Sequence, residues 1–135
     1  MHIAILTFDG FNELDSLIAL GVLNRIKKPD WRVSICCPTP EVTSMNGVTI
    51  RAQSLLEDAR SADAVVVGSG VKTREVVASP ELMGRLSLDP QRQLIAAQCS
   101  GTLVLAKLGL VEGVPACTDL TTKPWVQEAG VEVLN

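Results

Sequence analysis

The stretch Leu94-Ile95-Ala96-Ala97-Gln98-Cys99-Ser100-Gly101-Thr102-Leu103-Val104-Leu105-Ala106 decides how this chain reads. An apolar segment of strand length runs into a cysteine, small residues follow, and an apolar helix begins. A nucleophile elbow has this layout, because a sharp strand-to-helix turn leaves room only for small flanking residues. Ala97, Ser100 and Gly101 meet that demand, although Gln98 does not. The helix that follows directs free backbone N–H groups at the thiol, a field that favours the thiolate. The same N–H groups suit an oxyanion, and Gly68-Ser69-Gly70 supplies a second candidate donor, since glycine permits close backbone approach. The bland alternative is a buried cysteine at a strand end.

Around this stretch, apolar blocks of strand length alternate with helix-like segments. Strands are expected at 2–7, 31–37, 63–68 and 93–98, with short ones at 116–118 and 131–134. Apolar residues at 14, 17, 18, 20, 22, 23 and 26 predict a helix with a broad buried face, stopped by Lys27, Lys28 and Pro29. Asn46-Gly47 marks a tight turn between hairpin strands 41–45 and 48–52. A short helix is expected over 54–60, capped by Ser54 with Glu57 three residues on. Further helical segments fall at 71–78, 80–87, 101–108 and 122–129. This alternation predicts an α/β domain: a flavodoxin-like, doubly wound, mostly parallel sheet with helices on both faces. Its site belongs beyond the carboxyl ends of the strands, at a switch in strand order.

Composition narrows the function classes. The 135 residues suit one domain, and 47% of them are hydrophobic. A formal charge of −3 with no basic block argues against a nucleic-acid partner. Two tryptophans, two phenylalanines and no tyrosine cannot build a stacking platform for single strands. No apolar stretch is long enough to span a bilayer, and no signal peptide is evident. The single histidine, His2, excludes a histidine-rich metal site, and no cysteine spacing suits zinc. Cys36, Cys37 and Cys117 read as small core residues in a reducing, cytoplasmic setting. Asp9, Glu13 and Asp15 follow the first strand, placing three carboxylates at the end of the sheet that carries Cys99. Asp15 reads either as a helix-start charge or as a proton-transfer partner for Cys99.

Three segments carry a resemblance: 8–15, 65–70 and 95–110. They are similar to the ThiJ/PfpI superfamily of class I glutamine-amidotransferase-like proteins. The Leu14-Asp15 and Cys99-Ser100-Gly101 patterns most resemble isonitrile hydratases and the sensing domains of related AraC-type regulators. The resemblance implies a single domain over 1–135, with Cys99 as nucleophile and Asp15 as its acidic partner. It implies oxyanion or substrate contacts from Gly70, Ser100 and Gly101. It implies no metal and no organic cofactor, a small-molecule substrate, and a homodimer. Three departures stand out. Asp119 occupies the position where many members carry histidine, so their Cys-His pairing is absent. Ile18-Ala19 replaces a common Gly-Pro pair. The sequence stops at Asn135, where members usually continue through another strand and helix, so either that segment is missing or a partner covers the edge it would occupy. The expected function is a cysteine-dependent hydratase or hydrolase acting on a small electrophile. The alternatives are a non-catalytic redox or small-molecule sensor built on Cys99, and a degenerate member acting only as a folded partner.

Overall fold

The computed structural model describes residues 1–134. In chain order its strands are β1 (His2–Leu6), β2 (Arg32–Cys37), β3 (Glu41–Thr43), β4 (Thr49–Arg51), β5 (Ser54–Leu55), β6 (Ala64–Val67) and β7 (Leu94–Ala97). The α-helices are α1 (Glu13–Leu23), α2 (Thr73–Ala78), α3 (Pro80–Gly84), α4 (Thr102–Lys107) and α5 (Lys123–Glu128). Five strands form a parallel sheet in the order β5-β2-β1-β6-β7, and β3 and β4 form a separate antiparallel hairpin. The order runs outward from β1 in both directions, so the switch point lies between β1 and β6.

Alternation along the central strands divides the core in two. Ala4, Leu6, Cys36, Val65 and Val67 face one side and pack with Val104 and Leu105 of α4. Ile3, Ile5, Val33, Ile35 and Cys37 face the other, against Leu17, Leu20 and Leu23 of α1. Burial on both faces explains why these strands are apolar throughout rather than alternating with polar residues.

The structure departs from the expected elements in four places. Helix α1 stops at Leu23, where the Trp31 indole N–H donates to the Leu23 carbonyl at 2.9 Å. Its buried stripe is also narrower than expected: Leu14, Ile18, Val22 and Ile26 are exposed. Ser54 does not cap a helix, because Ser54 and Leu55 extend the sheet beside Cys36 and Cys37. The turn after them is a 3-10 helix, Leu56–Ser61, whose start is held by the Asp58 carboxylate accepting from Leu55 N at 2.9 Å. Glu57 instead meets Arg85 Nε at 2.5 Å. The two short strands expected near the C-terminus reduce to one parallel bridge, Ala116 with Val133. Cys117 is exposed and belongs to no core.

His2 lies at the amino end of β1, remote from the switch point. Its Nε2 meets Ser34 Oγ at 2.8 Å and its Nδ1 meets an Arg32 guanidinium nitrogen at 3.1 Å. Arginine only donates, so Nδ1 accepts and the ring is neutral. Burial, then the Arg32 charge, hold its pKa below the ordinary 6.5. As pH falls below 6.5, the unfolded chain therefore binds a proton that the folded chain resists. This contribution to stability is present above that pH and lost below it. The expected outcome is a Tm that falls between about pH 7.5 and about pH 5.5 more steeply in the native chain than in His2→Gln. Parallel melting curves for the two proteins would remove His2 from this role.

Candidate active site

The elbow forms where β7 ends. Cys99 has φ 45°, the only positive φ at a non-glycine residue in the described chain. An L-residue held there costs about 1–3 kcal/mol and persists only where its surroundings over-determine it. Those surroundings are close-packed. A Cβ on Gly101 would press into the Val67 carbonyl oxygen and lie 2.9 Å from that of Gly68. A Cβ on Gly70 would lie 2.5 Å from the Gly10 carbonyl oxygen and 2.9 Å from Phe11 Cα. Both glycines let backbones approach, and the Gly101 N–H donates to the Gln98 carbonyl at 2.8 Å. The Gly70 N–H donates to Ser100 Oγ at 3.2 Å, and Thr73 Oγ1 lies 2.9 Å from the same hydroxyl. Ser100 is 2% exposed, so its hydroxyl ties the loop after β6 to the elbow. A 3-10 turn, Cys99–Gly101, leads into α4, and its first N–H groups, those of Cys99 and Ser100, have no intrahelical acceptor.

The three carboxylates after β1 have separate tasks. Asp9 accepts from Thr43 N at 2.9 Å. Glu13 accepts from Ser44 Oγ at 2.6 Å and Asn46 Nδ2 at 3.1 Å, which holds its own pKa below the usual range. Together they pin the β3–β4 hairpin beside the site. Asp15 accepts from Ser69 Oγ, and its backbone carbonyl accepts from Gln98 Nε2 at 3.3 Å. Asp15 is therefore near the elbow, but its carboxylate is engaged by Ser69 rather than by the thiol.

The carboxylate that meets Cys99 is Asp119. The thiol donates to Asp119 Oδ2 at 3.0 Å, with Thr118 Oγ1 at 3.6 Å and Thr122 Oγ1 at 3.7 Å from the sulfur. Asp119 Oδ1 accepts from Thr122 N at 2.7 Å and Thr122 Oγ1 at 3.1 Å, just before α5. The Cys99 thiol, then the Thr122 N–H, hold the Asp119 carboxyl below the usual carboxylate range. Sequence reading placed Asp119 at this position but gave it no role. The available signal was an Asp three residues before Thr122 and shortly before Pro124, a pattern that anchors a helix start.

A cleft of about 230 Å³ opens on the sulfur. Ser69, Gly70 and Val71 line it from the loop after β6, and Asp119, Thr122 and Trp125 from the segment entering α5. Asn12 and Met45 complete it from the start of α1 and the hairpin turn. Larger clefts lie between α2, α4 and α5, beside the hairpin, and between the loop after β1 and helices α2 and α3, but none of the three is lined by a thiol. Among the described residues, no group of three or more His, Cys, Asp or Glu is placed to hold a metal ion.

Two outcomes follow from this packing. Burial pushes the Cys36 thiol up and the Cys37 thiol up to about 12, whereas Cys99 and Cys117 reach solvent. A neutral alkylating reagent is expected to modify Cys99 and Cys117 in the native chain and all four cysteines after unfolding; native labelling of Cys36 or Cys37 would contradict the fold. Gly101→Ala is expected to cost about 3 kcal/mol in denaturant unfolding, because its Cβ meets backbone that cannot yield. An unchanged midpoint would contradict the close approach.

Solved structures share this architecture. Schizosaccharomyces pombe DJ-1 aligns at 15% identity and a TM-score of 0.78, over 100% of this chain and 76% of that one. A ThiJ/PfpI domain protein from Brachyspira murdochii aligns at 16% identity and 0.80, over 99% and 79%. A two-domain protein from Anabaena variabilis, with DJ-1/ThiJ/PfpI-like and ferritin-like domains, aligns at 21% and 0.81, over 98% of this chain and only 39% of that one. At these identities the likeness concerns the fold. No curated protein matches the chain. The model of the DJ-1/PfpI family matches residues 1–135, the whole sequence, and the chain belongs to the DJ-1/PfpI family.

Proposed function

We propose that this chain is a cysteine-nucleophile enzyme that adds water to, or hydrolyses, a small electrophile such as an isonitrile or a carbonyl compound. The observation that supports this reading is the Cys99 thiol, held at φ 45° and hydrogen-bonded to a carboxylate at the mouth of a cleft. A residue held in strain beside a proton acceptor fits an activated nucleophile better than a core cysteine. With a carbonyl substrate, the sulfur bonds to the carbon as the C=O π bond opens onto oxygen. The thiol proton passes to Asp119 Oδ2 and from there to that oxygen, giving a hemithioacetal. In a glyoxal a proton then shifts from this carbon to the neighbouring carbonyl carbon, and water displaces the sulfur from the resulting thioester, leaving a 2-hydroxy acid and restoring the thiol. The Cys99 and Ser100 N–H groups stabilise the charge in transit. With an isonitrile, the sulfur bonds to the terminal carbon, the proton passes by way of Asp119 to that same carbon, and a thioimidate results. Water then displaces the sulfur, leaving a formamide and restoring the thiol.

In this reading Asp119 moves the proton and Asp15 is a positioning residue. By accepting from the Ser69 hydroxyl, Asp15 fixes a side chain that lines the cleft. Neither step requires a metal or an organic cofactor. A cytoplasmic location belongs to the same proposal, supported by four free cysteines. So does a homodimer, supported by the exposed row Leu14, Ile18 and Val22 on α1.

Cys99→Ala is expected to abolish turnover of isonitriles and glyoxals. Asp119→Asn is expected to lower kcat/KM about 10²-fold, the usual contribution of a positioned acid–base group, and Asp15→Asn less. Full turnover by Cys99→Ala would end the nucleophile assignment. A chain that turns over none of these substrates, yet oxidises at Cys99 under mild peroxide, would be a sensor instead.

A further inference from the structure

Among the residues that line the cleft, the only charged side chain is that of Asp119. Cys99 Sγ lies 3.0 Å from Asp119 Oδ2, and no lysine, arginine or histidine lines the cleft. Asp15 adds a second carboxylate behind Ser69. Arg74, which stacks on Trp125 at 5.4 Å, faces Glu128 at 3.8 Å and lines a different cleft. The remaining lining is hydroxyl, amide and apolar. At about 230 Å³ the cleft holds a ligand equivalent in volume to about eight waters, at roughly 30 Å³ each. Any group carried by so small a molecule therefore sits within a few ångströms of Asp119 once its electrophilic carbon reaches the sulfur.

We propose that Asp119 is a specificity-determining residue that confines the Cys99 site to uncharged or cationic electrophiles and rejects carboxylate- or phosphate-bearing ones. This rests on the reading of Cys99 as a nucleophile, and it adds the charge class of the substrate. A carboxylate beside the nucleophile repels an anionic reagent through Coulomb's law, and an exposed pair feels salt. The neutral chain of hydroxyls from Thr118 and Thr122 supplies no compensating cation.

The test uses the native chain and two alkylating reagents of nearly equal size, neutral iodoacetamide and anionic iodoacetate. The rate of modification at Cys99 is followed by peptide mass spectrometry, and the ratio of the two rates is divided by the ratio for 2-mercaptoethanol. Both reagents need the same thiolate at one pH, so its abundance cancels. The expected normalised ratio is about tenfold or more in favour of iodoacetamide at low ionic strength. It is expected to fall toward one at about 1 M salt, where the Debye length is about 3 Å. Asp119→Asn is expected to bring it toward one without salt, and Asp15→Asn to leave most of it. A normalised ratio near one in the native chain, or one unmoved by both salt and Asp119→Asn, overturns the proposal. The salt series needs no variant, so a misfolded Asp119→Asn leaves the test intact. Alkylation needs no turnover. Strong discrimination with no turnover of any neutral electrophile would refute the enzyme reading and leave the charge selection standing; turnover with equal alkylation would do the reverse.

Discussion

The contact of the elbow with β6 is the constraint on which the site depends. Gly101 brings the start of α4 onto the Val67 and Gly68 carbonyls, closer than any side chain allows. Ser100 then reaches across to the Gly70 N–H and Thr73. With both neighbours fixed, Cys99 has no relaxed conformation left, and its φ of 45° is the consequence. The strain is thus sustained by backbone packing and two buried hydroxyls, and the sulfur is displayed rather than buried. Gly70 repeats the device one layer out, where its own bridge to Phe11 draws the β1 loop against the β6 loop.

From that anchor the two halves of the sheet converge on one edge. The loop after β1 supplies Asn12 and Asp15, the loop after β6 supplies Ser69 and Gly70, and β7 supplies Cys99. Asp9 and Glu13 are consumed in holding the hairpin, whose Met45 closes the cleft. Carboxylates that look alike in sequence are separated by their neighbours into two that build the wall and one that positions a hydroxyl.

The fold was legible because its cause is local. Uniformly apolar strands, Asn46-Gly47 and the small residues of the elbow each report on their own few positions. The elbow that displays Cys99 was legible for the same reason. What periodicity could not show is which face a helix buries when the sheet below covers only part of it. Leu14, Ile18 and Val22 fit a helical stripe but face solvent, while Leu17, Leu20 and Leu23 pack on the sheet. Ser54 misled because Leu55 and Asp58 make the same capping contact one residue later, leaving Ser54 free to pair with Cys36. Asp119 was missed as a partner for a different reason. It lies 20 residues from Cys99, and its other contacts, to Thr122, are those of an ordinary helix start. Only the approach of the α5 segment to the elbow gives it a second role.

That second role changes the charge balance of the pair. A neutral histidine that takes a thiol proton becomes a cation beside the thiolate, and the pair stays neutral throughout. A carboxylate that takes the same proton becomes neutral, and the pair carries one negative charge before and after. Histidine therefore offers an incoming anion a site of no net charge and a cation once the proton has moved. Asp119 offers neither. On the proposed reading the negative charge passes to the substrate, which gains it at oxygen or carbon and is protonated by the acid that Asp119 has become. Such a pair works best when the substrate arrives with no charge of its own and departs with none. On the proposed reading, aspartate in place of histidine at this position alters which molecules can approach the sulfur while the elbow and the sheet stay as they are.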